Sequence, residues 1–164
     1  MNDKATLHFR NPEILFVSLF AIGFLPWAPG TFGSLVTILP LSYFTFLKAP
    51  TFFFWPLFII VTLIACFTCQ YVQKKYRVHD PSWIVIDEVL GMTLTWLIAH
   101  PHSSTDCFLL FINFRFFDII KFWPASYFDQ KVSHGYATVL DDLISGLYAA
   151  LLFLIIKNYF PILS

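Results

Sequence analysis

This chain of 164 residues predicts an all-α fold, a polytopic membrane bundle of about six helices, on three observations. It is 58% hydrophobic and only 12% charged, where a soluble domain carries about 25% charge. Its mean hydropathy is +0.72. Its apolar residues gather into runs near the length that crosses a bilayer, about 20 residues, without the alternation that a barrel strand needs.

The same arithmetic excludes other classes. Ten basic and ten acidic residues give no net charge, so the basic excess of a nucleic-acid partner is missing. Disorder needs low hydrophobicity and high net charge, the reverse of this composition. Three cysteines, an odd number, make no disulfide scaffold. Cys66 and Cys69 lie inside an apolar run and Cys107 opens another, so all three read as small buried side chains. One domain, residues 1–164, is expected, with residues 1–10 as a flexible polar start and no cleavable signal.

Each apolar run has its own reading. Ile14–Trp27 is short and ends at Pro26 and Pro29, which suits a re-entrant or interfacial segment. Ser34–Leu47 follows, its start capped by Thr31 and Ser34. Phe52–Val72 is the clearest span. Trp83–Ala99 is apolar except at Asp87 and Glu88. Phe108–Trp123 is interrupted by Arg115, Asp118 and Lys121, and Thr138–Phe160 by Asp141, Asp142 and Lys157. The densest basic patch, Lys74, Lys75 and Arg77, places the loop after Phe52–Val72 in the cytoplasm.

That orientation brings seven of the ten acids to the cytoplasmic side: Asp80, Asp87, Glu88, Asp118, Asp129, Asp141 and Asp142. Asp106 falls on the opposite face. Carboxylates inside apolar helices cost about 2.5–3.5 kcal/mol each at the bilayer centre, which makes them functional candidates. Asp87 and Glu88 sit one turn before Gly91, and Asp142 sits one turn before Gly146; each glycine permits close helix approach. Arg115, Asp118 and Lys121 share one helix face.

Clustered carboxylates repel one another unless a divalent cation neutralises them, and hard oxygen ligands select Mg2+. Arg115 supplies a guanidinium fork and Lys121 a point charge for phosphate. Metal, acids and cations at headgroup depth imply phosphoryl chemistry on a lipid. A salt-bridge network that only fixes helix register is the structural alternative. The turn Trp27–Ser34 is either a plain connection or an anion site at a helix start. Asp129 is a further ligand or a solvated loop acid, while His79, His100, His102 and His134 read as surface residues.

At these residues the chain resembles the phosphatidylglycerophosphatase A family, over about Asn11 to Ser164. The blocks come in family order: Ala28-Pro29-Gly30-Thr31-Phe32-Gly33-Ser34, His79-Asp80 with Ile86-Asp87-Glu88-Val89-Leu90-Gly91-Met92, Phe114-Arg115 with Asp118 and Lys121, Trp123-Pro124 with Phe128-Asp129, and Leu140-Asp141-Asp142 with Gly146. Two local departures are Phe122, where the family carries proline, and His134-Gly135-Tyr136-Ala137-Thr138, where it carries a glycine-rich loop.

The resemblance implies Mg2+-dependent hydrolysis of phosphatidylglycerophosphate to phosphatidylglycerol and phosphate, in a bacterial inner membrane with the site facing the cytoplasm. Asp87, Glu88, Asp118 and Asp142 are the expected Mg2+ ligands, with Asp141 a further catalytic acid. Arg115, Lys121, Thr31 and Ser34 are the expected phosphate-binding residues. A polarised water with a carboxylate base, or an aspartyl nucleophile, fits this set. The expected partners are the lipid substrate and membrane lipid, with no nucleic acid. Two other classes also gather acids: a metal-dependent lipid phosphotransferase, whose D-G-x2-A-R…G-x3-D-x3-D pattern is absent here, and a divalent-cation transporter, which places them near the midplane.

Overall fold

The computed structural model of the chain describes residues 11–132 and 134–159. The tail of residues 1–10, His8 and the end of the last apolar run at Phe160 lie outside the described residues. Among the described residues the fold is all-α, with seven helices: α1 Pro12–Val17, α2 Pro29–Phe46, α3 Phe54–Tyr76, α4 Ile86–Ala99, α5 Ser104–Ile120, α6 Ala125–Lys131 and α7 Gly135–Tyr159. The count exceeds six because α6, seven residues long, forms within the connection after α5.

The run Ile14–Trp27 does not form one helix. It breaks after Val17, passes through the left-handed backbone of Leu19, Phe20 and Ala21, and makes a short 3-10 turn at Ile22–Phe24. This segment packs beneath the start of α4. The Val85 N–H donates to the Val17 carbonyl at 2.9 Å, and Phe24 stacks on Trp83 at 5.6 Å. The stretch Trp83–Val85 is consequently buried but not helical, and α4 begins only at Ile86.

The capping expectation for Thr31 and Ser34 is corrected. Pro29, at the first helical position, fixes the start of α2, and its cap is Ala28 in left-handed backbone. Ser34 lies inside the helix and donates back to the Gly30 carbonyl at 2.9 Å.

Chain direction puts the polar ends together. The starts of α2, α4 and α7 meet the ends of α3 and α5, with α7 packed against α3, α4, α5 and α6. One core joins Met92, Trp96 and Leu97 of α4 to Leu110, Phe114 and Phe153 from α5 and α7. A second joins α1 and α3 to the start of α4 through Ile14, Val17, Ala65, Val72, Trp83 and Leu90.

Among the described residues two helical stretches, Thr51–Tyr76 and Gly135–Tyr159, are long and apolar enough to cross a bilayer, with mean hydropathies of 2.3 and 2.1. Along the first, Leu57, Ile60, Leu63, Ile64 and Phe67 are exposed. At the other end of the bundle, Asp106 and Lys157 form a 2.9 Å ion pair, with Asp106 fully buried at the start of α5. Cys66, Cys69 and Cys107 are free, the latter two buried.

Candidate active site

Two glycines set the geometry. A Cβ on Gly146 would stand 2.4 Å from the Gly91 carbonyl oxygen, and one on Gly91 would stand 2.7 Å from the Asp142 carbonyl oxygen. Only hydrogen at both positions lets α4 and α7 cross this closely. The Thr95 hydroxyl lies 2.8 Å from the Gly91 carbonyl and 3.1 Å from the Gly146 carbonyl, and donates between them. Asp87 and Asp142 each precede their glycine by four residues, so the crossing brings one turn of each helix face to face.

The result is a carboxylate cluster. Oxygen atoms of Asp87, Glu88 and Asp142 lie within 4.8 Å of one another. Asp87 is 7% exposed and Asp142 3%. Asp87 and Glu88 occupy the first turn of α4, where the helix dipole favours negative charge. The Glu88 N–H donates to Asp87 Oδ1 at 3.1 Å.

The cations stand beside this cluster. Arg115 donates from Nη1 to Asp118, and the same nitrogen reaches the buried Ser34 hydroxyl at 3.4 Å. Lys121 ends α5 in left-handed backbone, which turns its ammonium toward Asp141 and toward Asp129 at 3.0 Å.

Three of the four expected metal ligands therefore meet. The fourth, Asp118, is outside the triad and is engaged by Arg115. Asp141 is held by Lys121. Thr31 is half-buried on the first turn of α2, without a bond to the cluster. Asp129 is an ion-pair partner.

Gly30 is the residue that sequence reasoning passed over as a site residue. A Cβ there would fall 1.9 Å from Glu88 Oε1 and 3.3 Å from Arg115 Nη1. Its signal was the turn at Pro29-Gly30, which reads equally as a helix start.

The donor set fits a divalent cation. Three carboxylates at one point suit a hard ion, and Glu88 Oε2 is buried without a hydrogen-bond partner. Arg115 Nε is likewise buried and unbonded, a free donor beside an acidic centre.

Fold and site together define the class: an all-α protein with long apolar helices whose carboxylates and cations converge at one end of the bundle. A family model described as Phosphatidylglycerophosphatase A matches residues 15–157, and the chain belongs to that family of lipid phosphatases. It is 36% identical over 160 residues to a phosphatidylglycerophosphatase A of Haemophilus influenzae, covering 96% of each chain. It is 34% identical over 164 residues to that of Escherichia coli, covering 97% of this chain and 91% of the relative. No solved structure matches the chain.

Proposed function

We propose that this chain hydrolyses phosphatidylglycerophosphate to phosphatidylglycerol and phosphate, with Mg2+, at the cytoplasmic face of a bacterial inner membrane. The observation that carries the reading is the meeting of Asp87, Glu88 and Asp142 within 4.8 Å, beside Arg115. The exposed apolar face of α3, with Lys74 and Lys75 in its last turn, supports a membrane setting with the site inward.

Asp87, Glu88 and Asp142 would hold the ion, with Asp118 as a fourth carboxylate that also orients Arg115. The ion supplies charge compensation and Lewis acidity toward a phosphoryl oxygen. Arg115 binds the terminal phosphate through its free Nε, with Ser34 steadying Nη1, and Thr31 and Lys121 line the approach. The oxygen of an attacking water bonds to the terminal phosphorus as its P–O bond to the glycerol breaks, and the proton that the water loses passes by way of a carboxylate to the departing glycerol oxygen. Glu88 Oε2, buried and unbonded, is the acceptor for the proton that the water gives up.

A transporter reading is disfavoured by position, because Asp87 and Glu88 occupy the first turn of α4 rather than its middle. The test is phosphate release from the lipid by purified protein, with Mg2+ and with a chelator. Asp87→Asn and Asp142→Asn should each lower turnover by about 10²–10³. Undiminished release by either variant refutes the assignment.

A further inference from the structure

Beneath the Arg115–Ser34 contact the surface changes character. A groove of about 240 Å³ lies between α2 and α5, lined by Leu35, Ile38, Leu39, Cys107, Phe108 and Phe111, with Ser42 and Ser104 at its far end. Helix geometry places it on the same faces of α2 and α5 as the site. On α2, Ser34, Ile38 and Ser42 follow one another at four-residue steps, and on α5, Arg115, Phe111 and Phe108 recur at steps of three and four. Leu39 and Phe108, 59% and 63% exposed, form its outer lips.

We infer that this groove holds an acyl chain of the lipid whose phosphate Arg115 binds. The inference rests on the lipid-phosphatase reading above and adds where the tail lies. Depth agrees: Arg115 to Ser104 is eleven residues of helix, about 16 Å at 1.5 Å per residue. One leaflet of a hydrocarbon core about 30 Å thick has nearly that depth. Polarity agrees as well: the groove is lined by Leu, Ile, Phe and Cys107, with hydroxyls only at Ser42 and Ser104, and Arg115 lies one helical turn beyond Phe111 toward the site. The exposed stripe of α3 is equally apolar, but that helix packs chiefly on α7 and α4, away from the α2–α5 seam.

The test uses the full chain in detergent with two substrates, a long-chain diacyl phosphatidylglycerophosphate and its dihexanoyl counterpart, whose tails end near the top of the groove. Leu39→Trp fills the groove, and Ile60→Trp on the exposed face of α3 is the control. Leu39→Trp should lower kcat/KM for the long-chain lipid by about tenfold while dihexanoyl turnover stays within about twofold. Equal loss on both substrates, or loss on neither, overturns the groove assignment. A second readout needs no turnover: a long-chain lipid with a mid-chain diazirine should label α2 and α5 peptides containing Leu35, Leu39, Phe108 or Phe111. Labelling concentrated on α3, or spread evenly, overturns it. Absence of phosphate release by the wild type from both substrates strikes instead at the phosphatase reading, while the labelling still decides the groove.

Discussion

Gly91 and Gly146 touch where α4 crosses α7, and the room for a single hydrogen at each sets how near Asp87 can come to Asp142. Gly146→Ala should therefore act at a distance. Its methyl group would meet a backbone carbonyl, which cannot swing aside, so overpacking should cost about 1–3 kcal/mol. Turnover should fall by about 10²-fold as the carboxylates separate. Thermal unfolding in detergent and phosphate release, measured on the same preparation, check both.

Gly30→Ala should behave differently. The added methyl group meets the tip of the Glu88 side chain, a flexible end rather than backbone. Stability should hardly change, while the Mg2+ concentration for half-maximal activity rises by about tenfold as the carboxylate is pushed from the cluster. A metal titration of activity alongside an unfolding curve separates the two effects.

Lys121→Met leaves Asp141, 1% exposed, without its counter-charge. Breaking such a pair should cost about 3–5 kcal/mol. Adding Asp141→Asn should recover part of that loss, because a neutral amide tolerates burial better. Denaturation of the single and double variants gives the coupling.

Glu13 ties α1 to α3 through Lys75 at 2.7 Å. The Lys75 hydrogen bond holds its carboxyl below the usual value of 4.5. A carboxyl depressed in the folded state adds stability above its unfolded pKa, and that increment fades as pH falls through the folded pKa. Glu13→Gln should then be slightly less stable than wild type near neutrality. The gap should close below the pH of an ordinary carboxylate, as unfolding midpoints across an acid series would record.

The charged blocks made much of this site readable in advance. Asp87, Glu88 and Asp142 interrupt otherwise apolar helices, and a carboxylate in such a place demands a reason. Their glycines, one turn on, carried the crossing as well. Pairings escaped notice because they depend on tertiary geometry: nothing in the spacing shows Lys121 reaching Asp141, or Lys157 reaching Asp106. The break after Val17 escaped because Leu19, Phe20 and Ala21 adopt positive φ without any glycine to announce it. Helix boundaries moved where a proline or a buried extended stretch overrode the apolar pattern, as at Pro29 and Trp83–Val85.

The two pairs Lys121–Asp141 and Asp106–Lys157 fasten α5 to α7 near both ends, about 24 Å apart along the helices. Joined this way, the two helices behave as one riveted plank that resists splaying. Among the described residues the seam between α2 and α5 has no ion pair; Arg115 reaches the Ser34 hydroxyl at 3.4 Å and the Thr45 hydroxyl meets the Cys107 thiol at 3.6 Å. Charge thus fastens α5 to α7 at both ends, while α2 meets α5 without a carboxylate partner and is held instead by the Trp96 indole N–H donating to Thr45 at 2.8 Å.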